Sequence, residues 1–242
     1  MQRYFTEQPV KKRMRITDAT IVHHLFRVMR KRNGDSFVLC DSNRRCYEMR
    51  IASIAPDAIG AERLYAIRHE RHPLRITLAQ SLIRKEKFEL VIQKASELGV
   101  TDLLPLSTER TVVKLTGENK AKKLSRFQKI AKEAAKQTRR DNVMDILAPS
   151  ELSTLDTDAY DHVVVPYEEE KSDNTKSVMR TFESGDRVLV VLGPEGGFSE
   201  EEIRTLKAKG AKSVSLGPRI LRSETAAFYV LSAISYETEM SE

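Results

Sequence analysis

The apolar pattern of the chain changes period at Pro73, and that change limits what it can fold into. Beyond it, strand and helix periods alternate. Ile76–Ser81 reads as a strand. Lys85–Leu98 reads as a helix, with Phe88, Val91, Ile92, Ala95 and Leu98 on one stripe and Gly99 as its stop. Asp102–Leu106 is predicted as a strand. Lys120–Gln137 is predicted as a helix with Leu124, Phe127, Ala131, Ala134 and Ala135 inward. Strand His162–Pro166, a short helix, strand Arg187–Leu192, helix Glu200–Lys209, strand Ser213–Leu216 and a helix from about Glu224 complete the series. Such alternation implies an α/β domain, a mostly parallel sheet covered by helices on both faces.

Ahead of Pro73 the pattern reads mostly as β. Phe37–Cys40 follows the Asn33-Gly34-Asp35 turn signal. Cys46–Ile54 puts Tyr47, Met49 and Ile51 on one face and Glu48 and Arg50 on the other, and Ile59–Tyr65 returns beside it. His23–Arg30 reads as one helix. These elements suggest a small β-barrel-like module. The polar string Glu70-Arg71-His72-Pro73 marks the boundary, giving domains 1–72 and 73–242.

Charge separates the two domains as well. Residues 1–72 carry 15 Lys and Arg against 8 Asp and Glu, while the rest of the chain carries 26 against 27. A polyanion is the natural partner of the basic part. The apolar runs are short, Val188–Leu192 among them, far below the roughly 20 residues that span a bilayer. The basic N-terminus has no apolar segment behind it, so the reading is cytoplasmic, with no membrane and no secretory signal. Cys40 and Cys46 lack further Cys or His at metal-ligand spacing. They are expected to be reduced thiols on neighbouring strands, and no metal is expected.

Two late glycine loops carry the strongest chemical signal. Leu192-Gly193-Pro194-Glu195-Gly196-Gly197-Phe198 follows an apolar strand and precedes a capping box, Ser199 with Glu202. Leu216-Gly217-Pro218-Arg219-Ile220-Leu221-Arg222-Ser223-Glu224-Thr225-Ala226 also leaves a strand and enters a helix. Glycines at a strand's carboxyl end let a ligand approach the backbone, and open α/β sheets bind ligands there. A tight turn would explain the first loop with one glycine, not three; for the second, salt-bridged capping is an equal explanation. Neither loop is a phosphate cradle of the GxxxxGK[ST] kind or a GxGxxG fingerprint.

A third signal is the helix 120–137 and its exit. Residues 120–140 hold nine Lys and Arg and one acid, Glu133. A solvated face is the usual explanation of such a run, yet so little counter-charge favours phosphate contact. With aromatics at 6% and no Trp, backbone and shape recognition of folded RNA suits the chain better than base stacking.

At the glycine loops the sequence resembles the SPOUT methyltransferases, most closely the family that makes N3-methyluridine in 16S ribosomal RNA of the small subunit. The resemblance covers essentially the whole chain. It runs through Arg3-Tyr4-Phe5, His23-His24-Leu25, Val28-Met29-Arg30 and Gly34-Asp35 in a small PUA-like RNA-binding domain. It continues through Gln93–Gly99, Pro105-Leu106, Glu109-Arg110, Glu133-Ala134-Ala135, Gln137 and Arg140. The two late loops are its most specific strings. Met144 stands where the family usually has proline.

The resemblance implies a deep trefoil knot in the C-terminal domain, S-adenosyl-L-methionine as cofactor, and a homodimer whose site is completed across the interface. It implies cofactor contacts from Tyr167, Leu192, Gly193, Pro194, Glu195, Gly196, Gly197, Leu216, Gly217, Ile220, Leu221 and Arg222. Arg3, His24, Arg27, Arg30, Arg110, Gln137 and Arg140 are the expected RNA contacts, with 16S rRNA or the small ribosomal subunit as partner. Arg140, then Arg222, are the expected catalytic arginines, because a guanidinium beside a uracil oxygen stabilises the anion left by deprotonating N3. Glu195 and Glu224 are expected to organise their loops from helix-start positions. Rival readings are a SPOUT enzyme acting on tRNA or another rRNA nucleotide, a non-catalytic RNA-binding assembly factor, and, more distantly, a glycine-loop phosphotransferase.

Overall fold

The computed structural model describes residues 2–68, 73–115, 117, 119–171 and 175–240; the Glu70-Arg71-His72 boundary string lies outside them. The chain divides into two compact units, one of residues 1–70 with 135–143, the other of 71–134 with 144–242.

Among the described residues the first unit has five strands where the pattern predicted three: β1 Arg3–Phe5, β2 Arg13–Ile16, β3 Ser36–Cys40, β4 Cys46–Ala55 and β5 Ala58–Ile67. β1 and β2 are three and four residues long, too short to display a period. They form one sheet in the order β1-β3-β4-β5-β2, with β1 parallel to β3 and the other pairs antiparallel. The alternation read in β4 is real: Tyr47, Met49 and Ile51 are buried in a core with Tyr4, Leu25, Phe37, Leu39 and Ile59.

The helix expected over His23–Arg30 begins earlier. Asp18 accepts from the Thr20 and Ile21 amides at 2.9 and 3.0 Å and starts α1 at Ala19. α1, Ala19–His23, then passes into a π-helical turn, His24–Val28. Cys40 and Cys46 correct the reading of free thiols. They sit on neighbouring strands as expected, but the hairpin register places them directly opposite one another, and they are joined in a disulfide.

The second unit has β6 Arg75–Ser81, α2 Lys85–Glu97, β7 Asp102–Ser107, α3 Asn119–Gln137, β8 Asp145–Ile146, β9 Ser150–Glu151, β10 His162–Pro166, α4 Thr175–Met179, β11 Arg187–Leu192, α5 Glu200–Ala208, β12 Lys212–Val214 and α6 Ser223–Glu239. Its sheet runs β12-β10-β11-β6-β7-β8, with β9 also on β7, and every pairing is parallel. Such strands must be covered on both faces. One face of the sheet packs Ala79, Leu104, Leu106, Val163, Val165, Leu189 and Val191 against Phe198 and the α5 residues Ile203 and Leu206. α2 buries Phe88, Val91, Ile92 and Ala95, the stripe read from its sequence, and packs on α6. Each large apolar side chain so buried contributes about 1.5–3 kcal/mol.

The last residues of α3 count with the first unit, which no periodicity announced. Ala135 and Val143 pack with Phe5, Val38, Cys40, Cys46 and Ile67 of the first unit. The helix closes with the Arg140 amide on the Ala135 carbonyl at 3.1 Å and Arg139 in the left-handed region, φ 57°. Gln137 is thus the last residue of α3, and Arg140 lies beyond the helix end. Nor is the basic run wholly unopposed, since Arg126 forks onto Glu89 at 2.6 and 2.8 Å. Met144 is fully buried, and the Gln128 side chain fixes the path there by bonding the Met144 carbonyl and the Ile146 amide, both at 3.0 Å.

Candidate functional site

Parallel strands present their carboxyl ends along one edge of the sheet, and three neighbours, β12, β10 and β11, send out the loops that matter here. The loops after β10 and β12 line one open cleft, formed by Pro166, Tyr167, Glu168, Ser215–Leu221 and Ala226. Its lining mixes apolar side chains (Leu216, Ile220, Leu221, Ala226) with loop backbone, which suits a flat, partly apolar ligand with a polar rim.

The cleft walls are held by local bonds. The Tyr167 amide donates to the Val214 carbonyl at 3.0 Å, and the Thr175 hydroxyl to the Ser215 carbonyl at 2.7 Å. Burial, and then the hydrogen bond from its hydroxyl to Glu169 at 3.0 Å, raise the Tyr167 pKa, so the phenol stays protonated. Gly217 has φ +106°, a backbone that L side chains rarely adopt, and open space where a Cβ would stand.

The first glycine loop reaches this cleft through Glu168. A Cβ on Gly197, itself at φ +68°, would stand 2.7 Å from the Glu168 carboxylate that lines the cleft. The loop is also tied down from two other directions. Glu202 completes the predicted capping box with Ser199 and accepts from the Glu109 amide at 2.8 Å, and Arg110 donates to the Gly196 carbonyl at 2.9 Å.

Beneath the two loops lies a polar core that the sequence did not announce. Gln80, fully buried at the end of β6, donates to the Ser223 hydroxyl at 2.9 Å, and that hydroxyl donates to the Gly193 carbonyl at 2.6 Å. One serine thus couples the first glycine loop to the start of α6, which follows the second. Lys87 on α2 bridges both loops as well, at 3.2 Å from Glu224 and 3.8 Å from Glu195. Glu195 also accepts from the Arg84 amide at 3.4 Å. Gln80 Oε1, Ser81 Oγ and Glu224 Oε2 are buried here without a partner among the described residues. Nothing in an apolar strand pattern distinguishes Gln80 from a surface glutamine, which is why it escaped notice. Ser223→Ala should cost about 1–3 kcal/mol, because the Gln80 amide keeps only the Ser81 carbonyl at 3.1 Å and the Gly193 carbonyl loses the hydroxyl. Urea melts of the two proteins check this, and equal midpoints would show that the amide is satisfied elsewhere.

The expected site residues divide as follows. Tyr167, Leu216, Gly217, Ile220 and Leu221 line the cleft together, with Gly193, Pro194, Gly196 and Gly197 in the adjoining loop. Leu192 is packed into the sheet at 2% exposure, behind the loop. Glu195 lies 3.8 Å from Lys87 and four residues ahead of the Ser199 N-cap, so it is not at a helix start as expected. Arg222 is exposed at the N-cap of α6. Among the expected RNA contacts, Arg27, Arg30 and Gln137 are exposed. Arg110 is engaged with Gly196. His24 Nδ1 shares a 2.7 Å hydrogen bond with the Tyr4 hydroxyl, whose pKa burial pushes up to about 12. Arg3 corrects the reading most clearly: it is 5% exposed, and its guanidinium donates to the carbonyls of Arg139 and of Arg140, the latter at 2.6 Å. Arg140 is half-buried and donates to Asn142 Oδ1 at 3.3 Å. By this division Arg140 falls in the first unit and Arg222 in the second. Among the described residues no group of His, Cys, Asp and Glu is arranged to hold a metal, and no helix is long and apolar enough to cross a membrane.

Comparison with known proteins agrees across the chain. Residues 70–235 match the RNA methyltransferase domain model and residues 16–59 the RNA methyltransferase PUA domain model. The chain is 36% identical to ribosomal RNA small subunit methyltransferase E of Bacillus subtilis, over 99% of this chain and 98% of that protein. It is 32% identical to the Aquifex aeolicus protein of the same name, over 86% and 89%. The crystal structure of ribosomal RNA small subunit methyltransferase E from Neisseria gonorrhoeae bound to S-adenosyl methionine superposes with a TM-score of 0.85, at 27% identity, over 98% of both chains. With both domain models matched and the Bacillus subtilis protein aligned over 99% of the chain at 36% identity, the chain belongs to the ribosomal RNA small subunit methyltransferase E family.

Proposed function

We propose that this protein transfers a methyl group from S-adenosylmethionine to N3 of a specific uridine in 16S ribosomal RNA. The observation that carries the reading is the cleft between the loops after β10 and β12, with the Gly193–Gly197 loop against its Glu168 wall, in a chain of this family. The residues present fit the cofactor. Leu216, Ile220, Leu221 and Ala226 offer an apolar bed for a nucleoside, and Gly217 leaves open space above the backbone. Glu168 and the loop carbonyls and amides offer partners for hydroxyl and ammonium groups. When bound, S-adenosylmethionine supplies an electrophilic methyl group on a sulfonium.

The chain's own residues have two tasks. The first is to hold the reactants in line, a proximity task that the bonded loops above support by their rigidity. The second is electrostatic. Uridine N3 is a weak nucleophile while protonated, so the anion formed on its deprotonation needs stabilising. Arg140, with Arg222 second, is assigned beside a uracil oxygen for this. A carboxylate or a water takes the proton.

We further propose the architecture of the family for the finer features: a trefoil knot in the second unit, closure of the first sheet into a PUA-like barrel, residues 1–72 as the RNA-binding domain and 73–242 as the methyltransferase domain, and a cytoplasmic homodimer. The dimer reading is supported by the exposed apolar side chains of α6 and its surroundings, Tyr229, Tyr236 and Ile220 at 45%, 72% and 87% exposure. Nucleoside mass spectrometry of 16S rRNA from cells lacking this protein tests the function. Loss of N3-methyluridine, restored by the wild-type gene, is the expected result. An unchanged N3-methyluridine content with loss of another methylated nucleoside would redirect the assignment to that nucleoside.

A further inference from the structure

Three non-glycine residues among those described have positive φ: Arg30 at 51°, Arg44 at 56° and Arg139 at 57°. All three are arginines, and all three belong to the first unit. In this region Cβ crowds the neighbouring carbonyl oxygen. Glycine avoids the clash, and Asn or Asp eases it by bonding the local backbone. A long cationic side chain does neither.

The local folding gives no reason for these side chains. Arg139 is the left-handed residue that closes α3, a position that glycine fills best, and it is exposed. Arg44 stands in the β3–β4 hairpin, where the Asp41 carboxylate accepts from the amides of Asn43 and Arg45 at 3.0 and 3.1 Å and of Val10 at 3.2 Å. Arg30 is exposed after the π-helical turn, and the nearby Asp35 carboxylate accepts from the Arg32 amide at 2.8 Å. The carboxylates closest in sequence to Arg30 and Arg44 are thus occupied by backbone. None of the three guanidiniums pairs with a carboxylate among the described residues. At Arg139 the crowding of charge is explicit. Arg3 lies close enough that, after burial and against the pull of Asp141, the Arg139 charge helps to lower the Arg3 pKa.

We propose that Arg30, Arg44 and Arg139 are phosphate contacts for RNA, held on strained turns of the first unit. The proposal rests on the RNA-methyltransferase reading; it adds Arg44, which the sequence did not single out, and picks Arg139 out of the basic run 120–140. Arginine suits the task because its planar fork grips two phosphate oxygens at once, and it stays charged at any working pH. Each sits in a short basic string: Arg27 with Arg30, Lys31 and Arg32; Arg44 with Arg45; Lys136 with Arg139 and Arg140.

The proposal predicts opposite signs for stability and binding, which a structural role does not. Arg30→Gly, Arg44→Gly and Arg139→Gly, made singly and together, relieve the backbone and remove the charge. Melting temperatures should equal or exceed that of the full wild-type chain, and S-adenosylmethionine affinity by calorimetry should be unchanged. Affinity for a 16S rRNA fragment should fall about 3–10-fold per arginine. The slope of log affinity against log salt should become shallower by about 0.7–0.9 for each arginine removed. Asn replacements, which also tolerate the left-handed region, provide a second set should any glycine variant fold poorly. A triple variant that binds rRNA with wild-type affinity and salt slope overturns the proposal. So does a fall in melting temperature of several degrees in both the Gly and Asn sets, which would make the arginines structural. A wild-type protein that binds S-adenosylmethionine but no rRNA overturns the RNA reading beneath it instead.

Discussion

Replacing Gly217 by valine is expected to leave a folded protein that no longer binds S-adenosylmethionine measurably. The reason lies in two properties of one residue. Its φ of +106° is open to glycine and strained for any L side chain, most of all a β-branched one. The substitution should cost about 1–3 kcal/mol if the backbone holds its path. The loop Ser215–Leu221 is largely exposed, so it can lower that cost by moving. Either response harms the cleft: the side chain fills the space beside Leu216 and Ile220, or the loop that forms the wall shifts. The fold should survive, because the nearest buried elements, β12 and α6, keep their own packing. Calorimetry with S-adenosylmethionine, beside a thermal melt, checks this. Wild-type affinity in a folded Gly217→Val protein would remove this cleft as the cofactor site. Gly196→Val is a companion with a different cause. A Cβ there meets Arg110 only at 3.5 Å, an ordinary contact, so most of any lost affinity would come from the ligand's space.

Arg140→Lys is expected to lose most methyl transfer, with kcat/KM down about 10–100-fold, or about 1.4–2.7 kcal/mol. Lysine keeps the charge but loses the planar fork that holds a base oxygen or phosphate at two points. The structure pins this residue from both sides: its amide bonds the Ala135 carbonyl, and its carbonyl accepts from the buried Arg3. Its side chain is only half-buried, with a 3.3 Å bond to Asn142, so stability should change by no more than about 1 kcal/mol. Single-turnover methylation of 16S rRNA, with melts of the same samples, separates the two effects. Near-normal turnover in Arg140→Lys removes the two-point grip. Near-normal turnover in Arg140→Ala removes Arg140 from the chemistry.

Some of this was legible in the chain because it is written locally. The stripe Phe88, Val91, Ile92 and Ala95, the strands His162–Pro166 and Arg187–Leu192, and the Ser199 and Glu202 capping box depend on neighbours a few residues away. The two glycine loops were legible for the same reason: each follows a strand, and strand ends at one edge of a parallel sheet are where open clefts form. The resemblance, not periodicity, supplied the cofactor and the RNA.

The rest required the tertiary structure, because it depends on contacts between residues far apart in sequence. Arg3 looks like any basic N-terminal residue until it is found buried under carbonyls more than 130 positions away. Gln80 and Ser223 are 143 positions apart, and only the packing of α6 on the sheet joins them. Cys40 and Cys46 are close in sequence, yet their pairing depends on a hairpin register that composition does not reveal. Ala135 and Val143 pack with Phe5, Val38, Cys40, Cys46 and Ile67 inside the first unit, which no local propensity encodes. The sequence by itself determined where the longer strands and helices and the ligand-permissive turns lie, since these follow from short-range sterics and periodic burial. Which polar groups meet beneath those turns was decided by the tertiary structure, since a buried polar atom takes whatever partner the fold brings within hydrogen-bond reach.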